Sequence, residues 1–504
     1  MDAINQLKED VRQGRVDVDR LIDVIVSLQQ QLEATRQQLE AAQRRIEELE
    51  KKDGGPSAKT DQAYSMRAEE KRQQKRGRNK LKLANKGRRG RLSTDDKLQL
   101  AEDTRKCFPD GVSEDACRFS HARPVWELKD GRAVLIRYDI YRRGNQFGKI
   151  PGVVGRSEFS LEIMVEIAYL VHDIGLSFDK VCKLLQFLQK LPMKKAQVEA
   201  LLRQLARHWQ HEFDVLCTLL ANSLVVHADE TSWSINSVWA FLSEKARLVF
   251  YGVHKDGQTL KHILDPDAFQ GLMISDDYAV YANFSHAQKC WAHLLRKAIK
   301  LTLQEPGEAK YRDFADCLLD IYRQACRVQK DKRLSTAGRQ RKVEDLEQDI
   351  LQLCAPQWDL QSPPLPEGPA NDYRLLVHEI VHVMLDNELF TFVTAPPVTK
   401  PNGKSAPVSG TNNEAERAQR PQAQARDTGR TNKTVNGARR QTILVSVLES
   451  LRLYLLTYNL DSIINEIKGW WQAGQSCFTK LLRKMKLPHP TESILDKVLP
   501  APDG

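Results

Sequence analysis

Between residues 223 and 275 the chain carries four apolar runs of strand length. SLVVHAD (223–229), SVWAFLS (237–243) and ARLVFYGV (246–253) follow one another with only polar or turn residues between them. The helical stretch QTLKHILDP separates them from GLMIS (271–275). HAQKCWAHLLRKAIKL (286–301) then passes from strand into helix. No run in the 504 residues approaches 18 uninterrupted apolar positions, so no transmembrane helix is expected. The opening MDAINQLKEDVRQG has no apolar signal core, and a cytoplasmic protein is expected.

Three sequential strands, a helix, a strand, then strand and helix describe the first part of a ribonuclease-H-like α/β domain. This core is expected over 219–304, with a second part over 406–470 closed by TILVSVLESLRLYLLTYNL. Between them, 305–405 reads as an all-helical insertion with a proline-rich middle. Upstream, 156–218 holds short helices joined by tight turns, which suit a helix-turn-helix DNA reader or a generic bundle. Residues 471–504 read as a C-terminal tail.

The amino-terminal third is organised differently. Leu21, Leu28, Thr35, Ala42 and Leu49 recur every seven residues, with Ile25, Leu32, Leu39 and Ile46 as a second seam. Residues 1–52 therefore suit a short coiled coil, or one amphipathic helix lying on its own protein. KKDGGP opens a basic linker or arm over 53–105. Within it, residues 66–92 hold 12 Lys/Arg against 2 Glu, which equals the whole chain's net charge of +10. Lys75, Arg76, Arg78, Arg88 and Arg89 lie in this run, whose charge suits nucleic-acid phosphates. Residues 106–155 read as a small β-rich module. It carries Cys107, Cys117 and His121 as C-x9-C-x3-H, without a fourth ligand, so zinc is not expected there. Nine cysteines with no CxxC pair argue against a disulfide framework.

Three carboxylates carry the chemistry. Asp229 ends one apolar strand, Asp276 sits just past another, and Glu416 lies in the first turns of the helix opened by GTNNEAERAQR. Acidic groups at the carboxyl ends of buried strands are costly unless hydrogen-bonded or metal-bound. Together at strand, strand and helix positions they suit a pair of hard divalent cations. Asp277 and Glu414 are rivals; Glu414 is two positions from Glu416, so the two point to different sides of a helix. Cys290-x2-His293 has ligand-like spacing but makes only half a zinc site. Arg417, Arg420, Arg426, Arg430, Lys433, Arg439 and Arg440 follow Glu416 as a phosphate track, or as partners for intrahelical pairing. Trp233, Trp239 and Trp291 read as core.

HADETSW, SDDYAVY, KCWAHLLRK and TNNEAER, in that order, resemble the insertion-sequence-sixty-six family of bacterial DDE transposases. The resemblance implies a metal-dependent enzyme that cleaves transposon ends and transfers a 3′-hydroxyl strand into target DNA. It places the three carboxylates on Asp229, Asp276 and Glu416, with Mg²⁺ or Mn²⁺ as cofactor. It also sets His293 and Arg296 near the scissile phosphate, and implies DNA and further copies of the chain as partners in the nucleoid. Two other functions fit the residues: a DNA-binding regulator without catalysis, and a nuclease that cuts without joining.

Overall fold

The computed structural model describes residues 92–358 and 366–500. The heptad seam and the basic run, with Lys75, Arg76, Arg78, Arg88 and Arg89, lie outside the described residues. A short helix α1 (Thr94–Gln99) leads into a small sheet of β1 (Asp103–Cys107), β2 (Arg118–Lys129), β3 (Arg132–Arg143) and β4 (Gln146–Phe147). Here β2 pairs antiparallel and β1 parallel with the central β3. Cys107 is buried in this sheet's own core. The Cys117 thiol donates to the Ser113 carbonyl at 3.4 Å, and His121 Nδ1 lies 3.1 Å from Ser120 Oγ. These three side chains thus have separate surroundings and form no ligand cluster among the described residues.

Three helices follow: α2 (Leu161–His172), α3 (Phe178–Gln189) and α4 (Lys195–Ala221). The main sheet comprises β5 (Val225–Ser232), β6 (Ser237–Ser243), β7 (Arg247–Val253), β8 (Leu272–Ser275) and β9 (Ala287–Lys289), with α5 (Gly257–Ile263) before β8 and α6 (Trp291–Gln304) after β9. The strand order is β7-β6-β5-β8-β9. Strands β5, β8 and β9 are parallel, and β6 runs antiparallel to both its neighbours.

The two-residue period of a strand sorts the side chains between the faces. Val226 and Ala228 of β5, Trp239 and Phe241 of β6, and Leu248 and Phe250 of β7 enter one large core with α2, α3 and α4. Trp233, Val238, Ala240, Val249 and Tyr251 enter a smaller core on the other face. The helices over 156–218 therefore share the sheet's main core. In that core α4 alone buries Leu202, Leu205, Trp209, Phe213 and Leu216, against the sheet and, more extensively, against the helix Val435–Tyr454 and its fellow helices.

The insertion consists of α7 (Ala309–Lys330), α8 (Thr336–Cys354), α9 (Pro369–Leu385), the short α10 (Thr391–Thr394) and a hairpin of β10 (Val398–Thr399) and β11 (Ser405–Ala406). It is thus not all-helical, because Asn402-Gly403 closes a tight turn with Gly403 at φ +83°. Its helices form a second core with α6, Val225, Leu272 and Ile274. The insertion also covers the β9 edge. Lys289 N–H donates to the Glu388 carbonyl at 2.8 Å. The Gln288 amide donates to the Leu389 carbonyl at 2.8 Å and accepts from Phe392 N–H at 2.9 Å.

After the insertion come α11 (Asn413–Asp427), α12 (Val435–Tyr454), α13 (Leu460–Ala473), α14 (Cys477–Lys484) and α15 (Leu495–Val498). The opposite sheet edge is closed by α12. The outward N–H groups of Arg247, Val249 and Tyr251 donate to the hydroxyls of Ser450, Ser446 and Thr442 at 2.9, 3.0 and 3.0 Å. Four helical residues rise about 6 Å and two strand residues about 6.6 Å, so an i, i+4, i+8 row of hydroxyls matches alternate strand amides. Ser446→Ala leaves the buried Val249 N–H unpaired and should cost about 1–3 kcal/mol in urea unfolding, with the sheet otherwise intact. Residues 471–500 are not a loose tail: Phe478, Leu482, Leu495, Val498 and Leu499 are buried in the main core. No described helix is long and apolar enough to cross a membrane.

Candidate active site

Parallel pairing of β5 with β8 carries two of the carboxylates to the same end of the sheet. Val225 pairs with Leu272, Val226 with Met273 and His227 with Ile274. Two residues further along each chain stand Asp229 and Asp276. Asp229 has the parity of Val225 and His227, and Asp276 that of Leu272 and Ile274. Both therefore belong to the face opposite Val226 and Met273, which enter the main core. Asp276 Oδ1 accepts the Tyr278 N–H at 3.2 Å, a local turn bond that holds the carboxyl at the strand end.

The third carboxylate arrives on α11, which is pinned to β5 at two points. The Asn412 side-chain amide donates to the Ala228 carbonyl at 2.6 Å, and that of Gln419 to the Asp229 carbonyl at 2.9 Å. Positions 412, 416 and 419 share one helical face, so Glu416 is presented between the two pins. Glu414 lies on another side. It pairs with Arg247, which also reaches Glu449 at 3.7 Å, beside a cleft of about 460 Å³ that Arg417 lines. Asp277 turns to Lys289 at 3.8 Å.

The electrostatics reflect this crowding. Burial, then the charges of Glu230, Asp276 and Glu416, push the Asp229 carboxyl up to about 7. Burial works to raise Glu416 as well, but the Arg296 guanidinium, with His293 and Arg420, brings it below the ordinary range. Arg296 grips Glu416 with both arms, at 2.6 and 3.2 Å, and His293 Nε2 lies 3.7 Å from Glu416 Oε1. Beside the site, Glu230 accepts from the Tyr281 hydroxyl at 2.5 Å and pairs with Lys255 at 2.9 Å.

Three carboxylates whose charges act on one another, one of them raised to about 7, form a donor set suited to a hard divalent cation. Their oxygens are nevertheless not drawn into one tight cluster. Among the described residues, the three donors that lie within 4.8 Å of one another belong to Cys290, His293 and Glu416. The Arg296 grip accounts for the position of Glu416. Burial pushes the Cys290 thiol up, against main-chain N–H groups of Asn412, His293 and Ala292 aimed at its sulfur.

The remaining basic residues divide. His293, Arg296 and Arg420 gather at Glu416, whereas Arg417 faces the neighbouring cleft. Four arginines of the row beyond are engaged within the molecule. Arg426 donates to Ser232 Oγ at 2.8 Å, Arg430 to the Gly175 carbonyl, and Arg439 pairs with Asp496. Arg440 lies 3.7 Å from Glu199 and over the Phe178 ring. Trp233, Trp239 and Trp291 are all buried. Sequence reasoning missed Glu230, Lys255, Tyr281 and Gln419. Glu230 was adjacent to Asp229, but nothing in the sequence linked it to Tyr281 or Lys255.

Residues 156–398 match the family model described as Transposase IS66 family. No curated protein matches the chain.

Proposed function

Since the chain belongs to the IS66 transposase family through residues 156–398, we propose that it cleaves the ends of its element and joins the freed 3′-hydroxyl to target DNA, with Asp229, Asp276 and Glu416 as the catalytic carboxylates. The observation that carries this reading is that Asp229 and Asp276 each lie two residues past the register pair His227–Ile274, with Glu416 on the pinned helix α11 and the charges of Asp276 and Glu416 both acting on Asp229. The element order of three strands, a helix, a strand, then strand and helix supports a ribonuclease-H-like domain as the frame. The family generally uses divalent metals, and here Mg²⁺ or Mn²⁺ would be held by the three carboxylates. The bound ions would lower the cost of generating the nucleophile and stabilise the attacking and leaving oxygens.

The chain's own residues bind and position. Asn412 and Gln419 fix α11 on β5, so Glu416 cannot drift along the sheet. The exposed Arg296, able to exchange Glu416 for a phosphate oxygen, holds the scissile strand with His293 and Arg420 beside it. No covalent enzyme intermediate is required, since a hydroxyl attacks phosphorus directly. The test is an in-vitro reaction of the full-length protein with labelled end DNA and a plasmid target. Joined product is expected; cut ends that never join would replace this reading by the nuclease.

The family implies DNA binding, and the basic run 66–92 is the proposed arm. Deleting it should weaken affinity and flatten the plot of log affinity against log salt by several units, since each neutralised phosphate contributes about 0.9. Equal slopes for deleted and full-length protein would remove the arm from the account. Holding two DNA ends requires more than one chain, and the seam of Leu21, Ile25, Leu28, Leu32, Leu39, Ile46 and Leu49 is the proposed pairing element.

A further inference from the structure

We propose that Cys290, His293 and Glu416 form a second cation site, chemically distinct from the carboxylate pair, which takes a zinc-class divalent transition ion. Their three donor atoms all lie within 4.8 Å of one another, although Glu416 is far from the other two in sequence. Ligands around a tetrahedral zinc stand about 3.5 Å apart, so small side-chain adjustments close the set. Sulfur, imidazole and carboxylate are a borderline-to-soft combination that Mg²⁺ and Ca²⁺ do not seek. Three protein ligands leave a fourth position for water or a DNA oxygen.

Two further observations point the same way. Cys290 is 1% exposed, and its sulfur accepts the Asn412 N–H at 3.0 Å, the kind of outer hydrogen bond that orients a ligand. His293 Nε2 lies 3.7 Å from Glu416 Oε1, beyond hydrogen-bond length, and the buried Nδ1 has no hydrogen-bond partner, so neither ring nitrogen is committed to a hydrogen bond. As the ion binds, the Cys290 proton leaves to solvent and a sulfur–metal bond replaces S–H. Arg296 occupies Glu416 without the ion, and the exposed guanidinium, free to turn to solvent, is a displaceable competitor. Glu416 is shared, so filling this site withdraws it from Asp229 and Asp276, and zinc would inhibit the Mg²⁺-supported reaction. That consequence rests on the proposed function; the binding itself does not.

The test uses full-length protein and Co²⁺ alone as the zinc-class probe, read by its thiolate charge-transfer absorption. One equivalent should give a band that Zn²⁺ displaces. Cys290→Ser should abolish the band, and His293→Gln and Glu416→Gln should each weaken Co²⁺ binding at least tenfold. Arg296→Gln should tighten it severalfold. Asp276→Asn and the Cys107→Ser/Cys117→Ser double variant should leave it unchanged. If Cys290→Ser does not fold, the His293, Glu416 and Arg296 variants decide. No band, a band that survives Cys290→Ser, or one lost with Cys107 and Cys117, would overturn the proposal. An Asp276→Asn protein that still cleaves DNA would defeat the catalytic assignment while leaving this result standing.

Discussion

Asp229→Asn, Asp276→Asn and Glu416→Gln should each lower end cleavage by on the order of 10³-fold or more, equivalent to about 4 kcal/mol of barrier. Each removes one negative charge from a set that must balance divalent cations, while changing side-chain volume very little. Affinity for end DNA should stay within a few-fold of the parent, because the substituted groups are anionic and do not attract phosphate. Asp277→Asn and Glu414→Gln are the paired controls. Asp277 is turned to Lys289 and Glu414 to Arg247, so neither loss should exceed about tenfold. Cleavage and binding are measured in parallel on the same preparations. Normal cleavage by Asp276→Asn, with loss in Asp277→Asn, would transfer the role to Asp277.

The metal-free protein should gain stability from Asp229→Asn, and the gain should grow with pH. A carboxyl raised in the folded state to about 7, from an ordinary value of 3.8, binds its proton more tightly folded than unfolded. Its contribution is fully present below about pH 4 and is lost as pH rises through about 7. Above that, the parent protein carries an unpaired buried charge that the amide lacks. Each tenfold difference in proton affinity between the folded and unfolded states is worth about 1.4 kcal/mol, so the gap reaches up to about 4 kcal/mol near pH 8. Denaturant unfolding in a chelator at pH 5 and pH 8 reads it. Adding Mg²⁺ should narrow the gap, by stabilising only the protein that retains the site. A gap equal at both pH values would mean that Asp229 is not strained by its neighbours.

The strands were legible because their apolar runs are dense, and the alternation of Trp239 and Phe241 with Val238 and Ala240 follows directly from a two-residue period. Asp229 and Asp276 were legible as ends of such runs. The contacts of Glu416 were not. Its partner Arg296 lies 120 residues away, and Asn412 meets the Cys290 sulfur across 122, both over the whole insertion. Half a ligand set, Cys290-x2-His293, was visible without the residue that makes it a cluster. Residues 477–484 form a helix of only 8 residues, which leaves too few apolar positions to read a period, and a buried helix passed for a tail. The row from Arg426 to Arg440 looked like a phosphate track. A sequence counts charges but does not show that Ser232, Gly175, Asp496 and Glu199 already engage them.

The central claim is that Asp229, Asp276 and Glu416 hold the reactive cations, and Fe²⁺-directed backbone cleavage tests it most directly. Full-length protein loaded with Fe²⁺ and treated with ascorbate and peroxide is cut by radicals formed at the bound ion. Fragments should end near residues 229, 276 and 416, fade as Mg²⁺ is added in excess, and vanish in the Asp229→Asn/Asp276→Asn double variant. Fragments that end elsewhere, or that persist through excess Mg²⁺ and in the double variant, would contradict the account.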